Sequence, residues 1–370
     1  MKRVTLDDFS CGVCGAREFV EIDFDSSAVS TKSGVPHVHK FRNLICDGCN
    51  VVVTYPEITE DRLVEYYNGE YRDDPTSTIQ IGNEHLAPPI HIHRSGISFQ
   101  RFQTFHRVVA SIASSLRNAP PGPGDLVIDI GGYQGMFLSA AQRVWNCDCI
   151  LYDYNRAGVK FAKSSFSFHD AVVAQDVYTD TFDRKAKYVT LIHVFEHLRY
   201  PRRFLKHARE SLLVPGGFIY VEIPSVFGRS LNDPTHFYMY NAENIRYVFE
   251  DEGFEVLAIQ ETDFPDSRHS WLPRINIACL ARGRSLASEV DRVSRPIADS
   301  SAMYRQIRRK YRLTSVAFVL DTVRTHLRAT AKMLWIVAKF VYTDLVTSRE
   351  LKSPFRPAIP TPDERGDGAR

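Results

Sequence analysis

Short apolar runs alternate with longer stretches of helical periodicity from Leu126 to about Arg282. Helical stretches lie between most of these runs, an order typical of right-handed crossovers and of a mostly parallel sheet covered on both faces. The last two runs are joined without an obvious helix, so we expect one of them to be antiparallel. The predicted strands are Leu126–Ile130, Cys149–Tyr152, Ala171–Ala174, Tyr188–His193, Phe218–Glu222, Glu255–Gln260 and Asn276–Ala281. The pattern therefore predicts an α/β domain built around a mostly parallel seven-stranded sheet.

The flanking segments have a different composition. Residues 1–75 hold four of the seven cysteines and several short alternating runs, which indicate a small β-rich module. Residues 76–95 are polar and contain prolines, as linkers do, and we place the α/β domain at residues 96–285. We expect a basic helical extension at residues 286–352 and a disordered, proline-containing tail at residues 353–370.

Composition excludes several classes of protein. Hydrophobic residues make up 44% of the 370 residues and charged residues 24%, which is ordinary for a soluble globular chain. The net charge of +2 gives no global field that favours nucleic acid. The start of the chain lacks the apolar core of a secretory signal. We therefore expect a cytoplasmic protein whose paired cysteines bind metal rather than form disulfides.

A glycine-rich turn follows the first predicted strand. Gly131, Gly132 and Gly135 let the backbone turn tightly and approach a ligand closely, as at dinucleotide sites. However, Tyr133 stands at the central glycine position and Asp129 places a negative charge nearby, so a pyrophosphate is poorly accommodated. The sulfonium and ammonium groups of S-adenosylmethionine suit the same turn because they are cationic.

The ends of the following strands carry further candidate ligands for this cofactor. Asp153, followed by Tyr154, ends the second strand, where a carboxylate can accept both ribose hydroxyls of a nucleoside. Asp176 and Val177 follow the third strand, where an adenine amino group would be recognised, and His193 ends the fourth. The alternative is that the two carboxylates are only solvated residues at strand ends.

Two CxxC motifs lie in the N-terminal module, at Cys11 and Cys14 and at Cys46 and Cys49. Tetrahedral zinc takes four soft donors, and two such turns supply them. The sequence therefore predicts one structural zinc ion. The alternatives are reduced thiol pairs or a redox pair without metal.

Taken together, these motifs resemble those of class I S-adenosylmethionine-dependent methyltransferases, which have a Rossmann-like fold. The resemblance covers about residues 95–285. It rests on Val127–Phe137, Asp153, His193–Leu198, Leu213–Pro224 and Glu252–Glu255, in that order along the chain. It implies that S-adenosylmethionine is the cofactor.

The N-terminal module sharpens this resemblance. A run from Val51 to Tyr71 follows the second CxxC motif, and the arrangement is similar to the sugar C-methyltransferase family, whose members carry an N-terminal zinc ribbon. The resemblance implies a sugar-containing small molecule as acceptor, with the ribbon and Tyr66, Tyr67 and Tyr71 helping to form its site. Core packing of a helix end is the alternative role for these tyrosines.

Two histidines are candidates for the catalytic base. His197 follows the fourth strand and His236 follows the fifth, so both are expected at the edge of the sheet that faces the cofactor. The resemblance points to both, because the sugar C-methyltransferases carry histidines at the matching places. Those enzymes have a tyrosine and a glutamate where this chain has Asp233 and Thr235, so methylation of carbon and of oxygen both stay open.

Other functions also stay open. The ribbon could dock RNA or protein as the methyl acceptor, or the fold could be a degenerate binding scaffold. The apolar positions of residues 301–352 recur at helical spacing among basic side chains. This helix is expected to pack on the enzyme or on a second copy, or else to lie peripherally on an anionic inner membrane surface; nucleic acid is the third alternative.

Overall fold

The computed structural model describes residues 2–22, 41–59, 61, 63, 97–113, 115–116, 119–227, 235–264, 274–284 and 299–309. The predicted linker at 76–95, the tail at 353–370 and most of the basic extension lie outside these ranges, as do Tyr66, Tyr67, Tyr71 and Asp233. The chain divides into two compact units, Met1–Leu313 and Thr314–Arg370, and all of the described residues belong to the first unit.

The larger sheet confirms the predicted architecture. Its seven strands run in the order β11-β12-β9-β8-β5-β6-β7. The pairs within β9-β8-β5-β6-β7 are parallel, whereas β12 is antiparallel to both β9 and β11, as expected for strands joined without a helix. The strands are β5 (Leu126–Ile130), β6 (Asp148–Asp153), β7 (Asp170–Val173), β8 (Ala186–Ile192), β9 (Leu213–Pro224), β11 (Phe254–Phe264) and β12 (Arg274–Gly283).

Several strands are longer than their apolar runs. β9 begins at Leu213 rather than Phe218, because Leu213 pairs with Ala186 of β8 across a register shift. The strand thereby includes the exposed residues Val214, Pro215 and Gly216, although they show no strand periodicity. Backbone pairing with a neighbour, and not side-chain pattern, sets the length of this strand.

Amphipathic helices cover the sheet. α1 (Ile97–Ala113) buries Phe102 and Phe105, and the Phe105 ring lies 4.6 Å from that of Tyr220 on β9. The other helices are α2 (Met136–Trp145), α3 (Arg156–Ser165), α4 (Pro201–His207) and α5 (Ala242–Asp251). Of the described helices, none combines the length and the apolar character that crossing a membrane requires.

A second sheet of five strands forms around the CxxC motifs. Four strands come from the N-terminal segment, and β10 (Tyr238–Met239) comes from the chain after β9 and pairs antiparallel with β4. Residues 300–309 form a helix whose Met303, Tyr304 and Ile307 pack in one apolar cluster with this sheet. The N-terminal strands are β1 (Lys2–Thr5), β2 (Glu18–Glu21), β3 (Arg42–Cys46) and β4 (Val52–Tyr55).

Candidate active site

The glycine turn after β5 adopts a conformation that needs its glycines. Gly131 and Gly135 have φ of 72° and 75°, in the left-handed region that favours glycine. A Cβ on Gly132 would lie 2.2 Å from Oδ2 of Asp129. Tyr133 is also left-handed, with φ of 51°, and its backbone N–H donates to Oδ2 of Asp153 at 2.7 Å. The turn is thus tied to the end of β6.

Asp129 is a buried carboxylate with one unused oxygen. Its Oδ1 accepts a hydrogen bond from the Thr190 hydroxyl at 2.7 Å, and its Oδ2 has no hydrogen-bond partner among the described residues. Burial raises the pKa of Asp129 to about 7, against the lowering effect of the Thr190 bond. A buried acceptor beside a glycine turn fits a cationic ligand, so these residues fit S-adenosylmethionine.

Asp153 lies where the ribose interaction is expected. Its Oδ1 accepts the N–H of Asn155 at 2.6 Å, and its Oδ2 accepts that of Tyr133. Burial raises the pKa of Asp153, and both backbone hydrogen bonds oppose that shift. A carboxylate offers about four acceptor sites, so two remain for ribose hydroxyls. The neighbouring Tyr154 is half-buried.

The carboxylate of Asp176 forms its hydrogen bonds with residues close to it in sequence. Its Oδ1 accepts the N–H of Tyr178 at 2.9 Å and its Oδ2 accepts the hydroxyl of Thr179 at 3.0 Å. These bonds close its own turn, the role of a structural strand-end residue. Val177 beside it is buried.

His193 belongs to a polar network at the ends of β8, β9 and β12. Its Nε2 lies 3.3 Å from Nδ2 of Asn276 and 3.7 Å from Oε1 of Glu222. Glu222 is fully buried, accepts from Asn276 at 3.1 Å and lies 3.7 Å from Nε of Arg101. Burial lowers the pKa of His193 to about 4, so the imidazole is neutral near pH 7.

Two members of this network escaped sequence reasoning. Arg101 lies on α1, 121 positions before Glu222, and Asn276 is the third residue of β12, whose central part is apolar. In the sequence, each of these two residues is seen only as a polar residue within an apolar pattern. A polar residue that faces solvent would give the same pattern.

The two candidate bases are brought together. The rings of His197 and His236 lie 4.7 Å apart, edge to face at 70°. Nδ1 of His197 is 2.8 Å from the Thr235 carbonyl oxygen, and its Nε2 is 4.0 Å from Oε1 of the buried Glu196. Each of Glu196, His197 and His236 offers a ligand atom within 4.8 Å of the others. A carboxylate beside two imidazoles can stabilise a proton taken up by either ring.

The segment between His193 and His197 contacts the glycine turn. Val194 follows His193, and a Cβ added to Gly131 would lie 2.3 Å from Cγ2 of Val194. The segment that carries His193 and His197 therefore lies against the turn that follows Asp129.

The four CxxC cysteines converge as predicted. All four are buried, with ligand atoms within 4.8 Å of one another. The Sγ atoms of Cys11 and Cys49 are 3.8 Å apart, and those of Cys14 and Cys46 are 3.4 Å apart. A tetrahedron of Zn–S bonds of about 2.3 Å has edges of about 3.8 Å, so the donor set fits zinc.

Comparison with known proteins gives a family for the larger domain. Residues 100–259 match the family model described as "Methyltransferase domain". Magnesium protoporphyrin IX methyltransferase from Synechocystis PCC 6803 aligns over 62% of this chain and 99% of its own, with 17% identity and a TM-score of 0.42. The N-methyltransferase NodS from Bradyrhizobium japonicum WM9 aligns over 50% of this chain and 96% of its own, with 13% identity and a TM-score of 0.39.

No curated protein matches the sequence. The family match covers the five parallel strands of the larger sheet and includes the glycine turn, both strand-end carboxylates and both histidines. The chain therefore carries a class I methyltransferase domain and is an S-adenosylmethionine-dependent methyltransferase.

Proposed function

We propose that this methyltransferase acts on a sugar or a sugar nucleotide and methylates it at carbon or at oxygen. The observation that carries the proposal is the pair of imidazoles, His197 and His236, beside the buried carboxylate of Glu196. Methyl transfer to a hydroxyl, or to the carbon beside a ketone, requires loss of a proton from the acceptor. The pair offers a base for that proton.

The residues around the glycine turn would hold the cofactor. Asp129 would face its positive charge, Gly131, Gly132 and Gly135 would allow close backbone approach, and Asp153 would accept the ribose hydroxyls. Tyr154, Asp176, Val177 and His193 are the remaining candidates at this edge of the sheet. When bound, S-adenosylmethionine supplies an activated methyl group for in-line displacement.

His236 is our leading candidate for the base, with His197 second. The Nδ1 of His197 faces the Thr235 carbonyl, which fixes that ring and makes it a suitable support for its neighbour. An imidazolium formed on either ring would lie near Glu196, whose carboxylate stabilises positive charge. An imidazole can accept the proton and release it after each turnover.

The sugar acceptor is supported by the CxxC module together with the histidine pair, the combination that resembles the sugar C-methyltransferases. RNA or protein as acceptor, with the ribbon as docking module, is the alternative. Buried residues of the N-terminal module, such as Val13 and Val53, share one apolar cluster with Ile128 and Val221 of the larger sheet, which favours an integral structural role over docking. We propose that Cys11, Cys14, Cys46 and Cys49 bind one structural zinc ion.

Transfer of radiolabelled methyl from S-adenosylmethionine tests the acceptor class. We expect label in a nucleoside-diphosphate-linked deoxysugar and none in bulk RNA or in a protein extract. A reaction without the enzyme serves as the control for background transfer. Label in RNA or protein alone would replace the sugar proposal with the docking alternative.

Hydrogen exchange in D₂O separates the two chemistries. If the enzyme methylates carbon, it should exchange the hydrogen beside the ketone of a keto-deoxysugar when supplied with S-adenosylhomocysteine, which carries no methyl group to transfer. An enzyme that methylates oxygen should leave that hydrogen in place while still transferring methyl to a hydroxyl.

A further inference from the structure

The backbone that carries His236 is held by the ribbon sheet. β10 pairs with β4, with Tyr238 opposite Val53 and Met239 opposite Val52. Just before this pairing, the N–H of Thr54 donates to the Phe237 carbonyl at 3.1 Å. The Thr54 hydroxyl donates to the His236 carbonyl at 2.7 Å. One ribbon residue therefore binds two consecutive carbonyls of the segment that carries the candidate base.

The packing of β4 does not require a hydroxyl group at position 54. Thr54 is fully buried, and the two preceding positions of β4 are valines. A valine at position 54 would fill the same volume with equal strand preference. The hydroxyl has one proton, and its other nearby acceptor, Oδ1 of Asn43, lies farther away at 3.5 Å. The proton is therefore directed to His236.

The opposite side of the same segment is fixed by the turn after β8. The Tyr238 hydroxyl donates to the Arg199 carbonyl at 3.2 Å. The guanidinium of Arg199 in turn lies 3.3 Å from Oε2 of Glu57 and donates to the Ile58 carbonyl. Contacts therefore link three segments to one another: the end of β4, the turn at His197–Arg199 and the segment at Thr235–Tyr238.

We infer that Thr54 is a positioning residue for methyl transfer, which holds the backbone of His236 so that its imidazole faces the acceptor. This inference rests on the proposed role of His236. It gives the ribbon sheet a part in the chemistry without contact with either substrate. A displacement of about 1 Å at a reacting group can reduce a rate about 100-fold.

The test compares Thr54→Val, which removes the hydroxyl at constant volume, with Thr54→Ser, which keeps it. Transfer to the deoxysugar nucleotide should fall about 10- to 100-fold in Thr54→Val through kcat, with KM for S-adenosylmethionine unchanged. Thr54→Ser should stay within about threefold of the wild type. Thr104→Val is the matched control, since it removes another buried hydroxyl, one that donates to the Gln100 carbonyl at 3.2 Å.

The double variant Thr54→Val with His236→Ala separates positioning from a general structural role. A positioning residue adds no further loss once His236 is absent, whereas an additive loss would overturn the inference. Wild-type turnover in Thr54→Val would overturn it as well. Wild-type turnover in His236→Ala would instead refute the proposed base, so the two failures are distinguishable.

Nitrogen-15 spectra of the imidazoles provide a readout without any acceptor. The His236 resonance, assigned by its loss in His236→Ala, should shift in Thr54→Val and stay in place in Thr104→Val. If Thr54→Val is poorly folded, Thr54→Ala provides the same comparison. An unshifted His236 resonance in a folded Thr54 variant would contradict the inference.

Discussion

The two sheets of this protein are assembled in different ways. The parallel part of the seven-stranded sheet runs from β5 to β9, with helices between all successive strands except β7 and β8. The ribbon sheet takes four strands from residues 2–55 and completes them with β10, a two-residue strand that lies between β9 and β11 within the methyltransferase domain. The first sheet is therefore specified by local patterns, and the second by contacts between distant parts of the chain.

This difference locates the candidate active site. The glycine turn and Asp153 belong to the locally specified sheet, whereas His236 lies on the segment that the two sheets share. We therefore propose that cofactor binding and acceptor chemistry depend on different parts of the fold. Perturbing the ribbon should affect acceptor chemistry, and perturbing the ends of β5 and β6 should affect the cofactor.

Loss of the metal should have the largest effect. Structural zinc contributes about 10–16 kcal/mol in small zinc modules, so Cys46→Ser should release zinc and unfold the ribbon sheet. Because β10 pairs with β4, turnover should be lost with it, while the parallel sheet keeps its fold. Elemental analysis and circular dichroism check both parts; wild-type protein without stoichiometric zinc would disprove the metal site.

Asp153→Ala should affect the cofactor and spare the ribbon. Removing the carboxylate leaves the ribose hydroxyls of the bound cofactor without their acceptor, at a cost of about 1–3 kcal/mol. S-adenosylmethionine should therefore bind roughly 5- to 150-fold more weakly by calorimetry, with zinc content unchanged. Equal affinity in the variant would show that another group binds the ribose.

Gly12→Ala tests the junction between the sheets. A Cβ on Gly12 would lie 2.2 Å from the Tyr238 hydroxyl oxygen and 3.3 Å from the Arg199 carbonyl oxygen. This overlap should lower the free energy of unfolding by about 1–3 kcal/mol. Gly122→Ala, whose Cβ would meet its nearest atom at 3.9 Å, is the control and should change little. Equal melting temperatures would show that the junction yields without cost.

The pH dependence of cofactor binding should be the smallest effect. Burial raises the pKa of Asp129 to about 7, so its carboxyl is mostly protonated below that pH in the free protein. A cationic ligand binds the ionised form, so affinity should rise about tenfold between pH 6 and pH 8. Asp129→Asn controls for titration of the cofactor's own amino group. This variant should lose the part of the rise in affinity that is due to ionisation of Asp129. A rise that is identical in Asp129→Asn would exclude Asp129.

The sequence predicted what local chemistry specifies. The strand at Leu126–Ile130, the glycine turn and the convergence of the four cysteines all follow from runs or spacings that are short in sequence. The sequence did not predict β10, because a strand of two residues is too short to show a periodic pattern. Thr54 escaped for another reason: its partner is 182 positions away, and a threonine in a strand is ordinary.

We propose that His236 removes the acceptor proton at the junction of the two sheets. The decisive measurement is pre-steady-state transfer of methyl by His236→Ala, together with calorimetric binding of S-adenosylmethionine. We expect a rate about 10²–10⁴-fold below wild type with unchanged cofactor affinity. Wild-type rates in His236→Ala, in His197→Ala and in the double variant would contradict it.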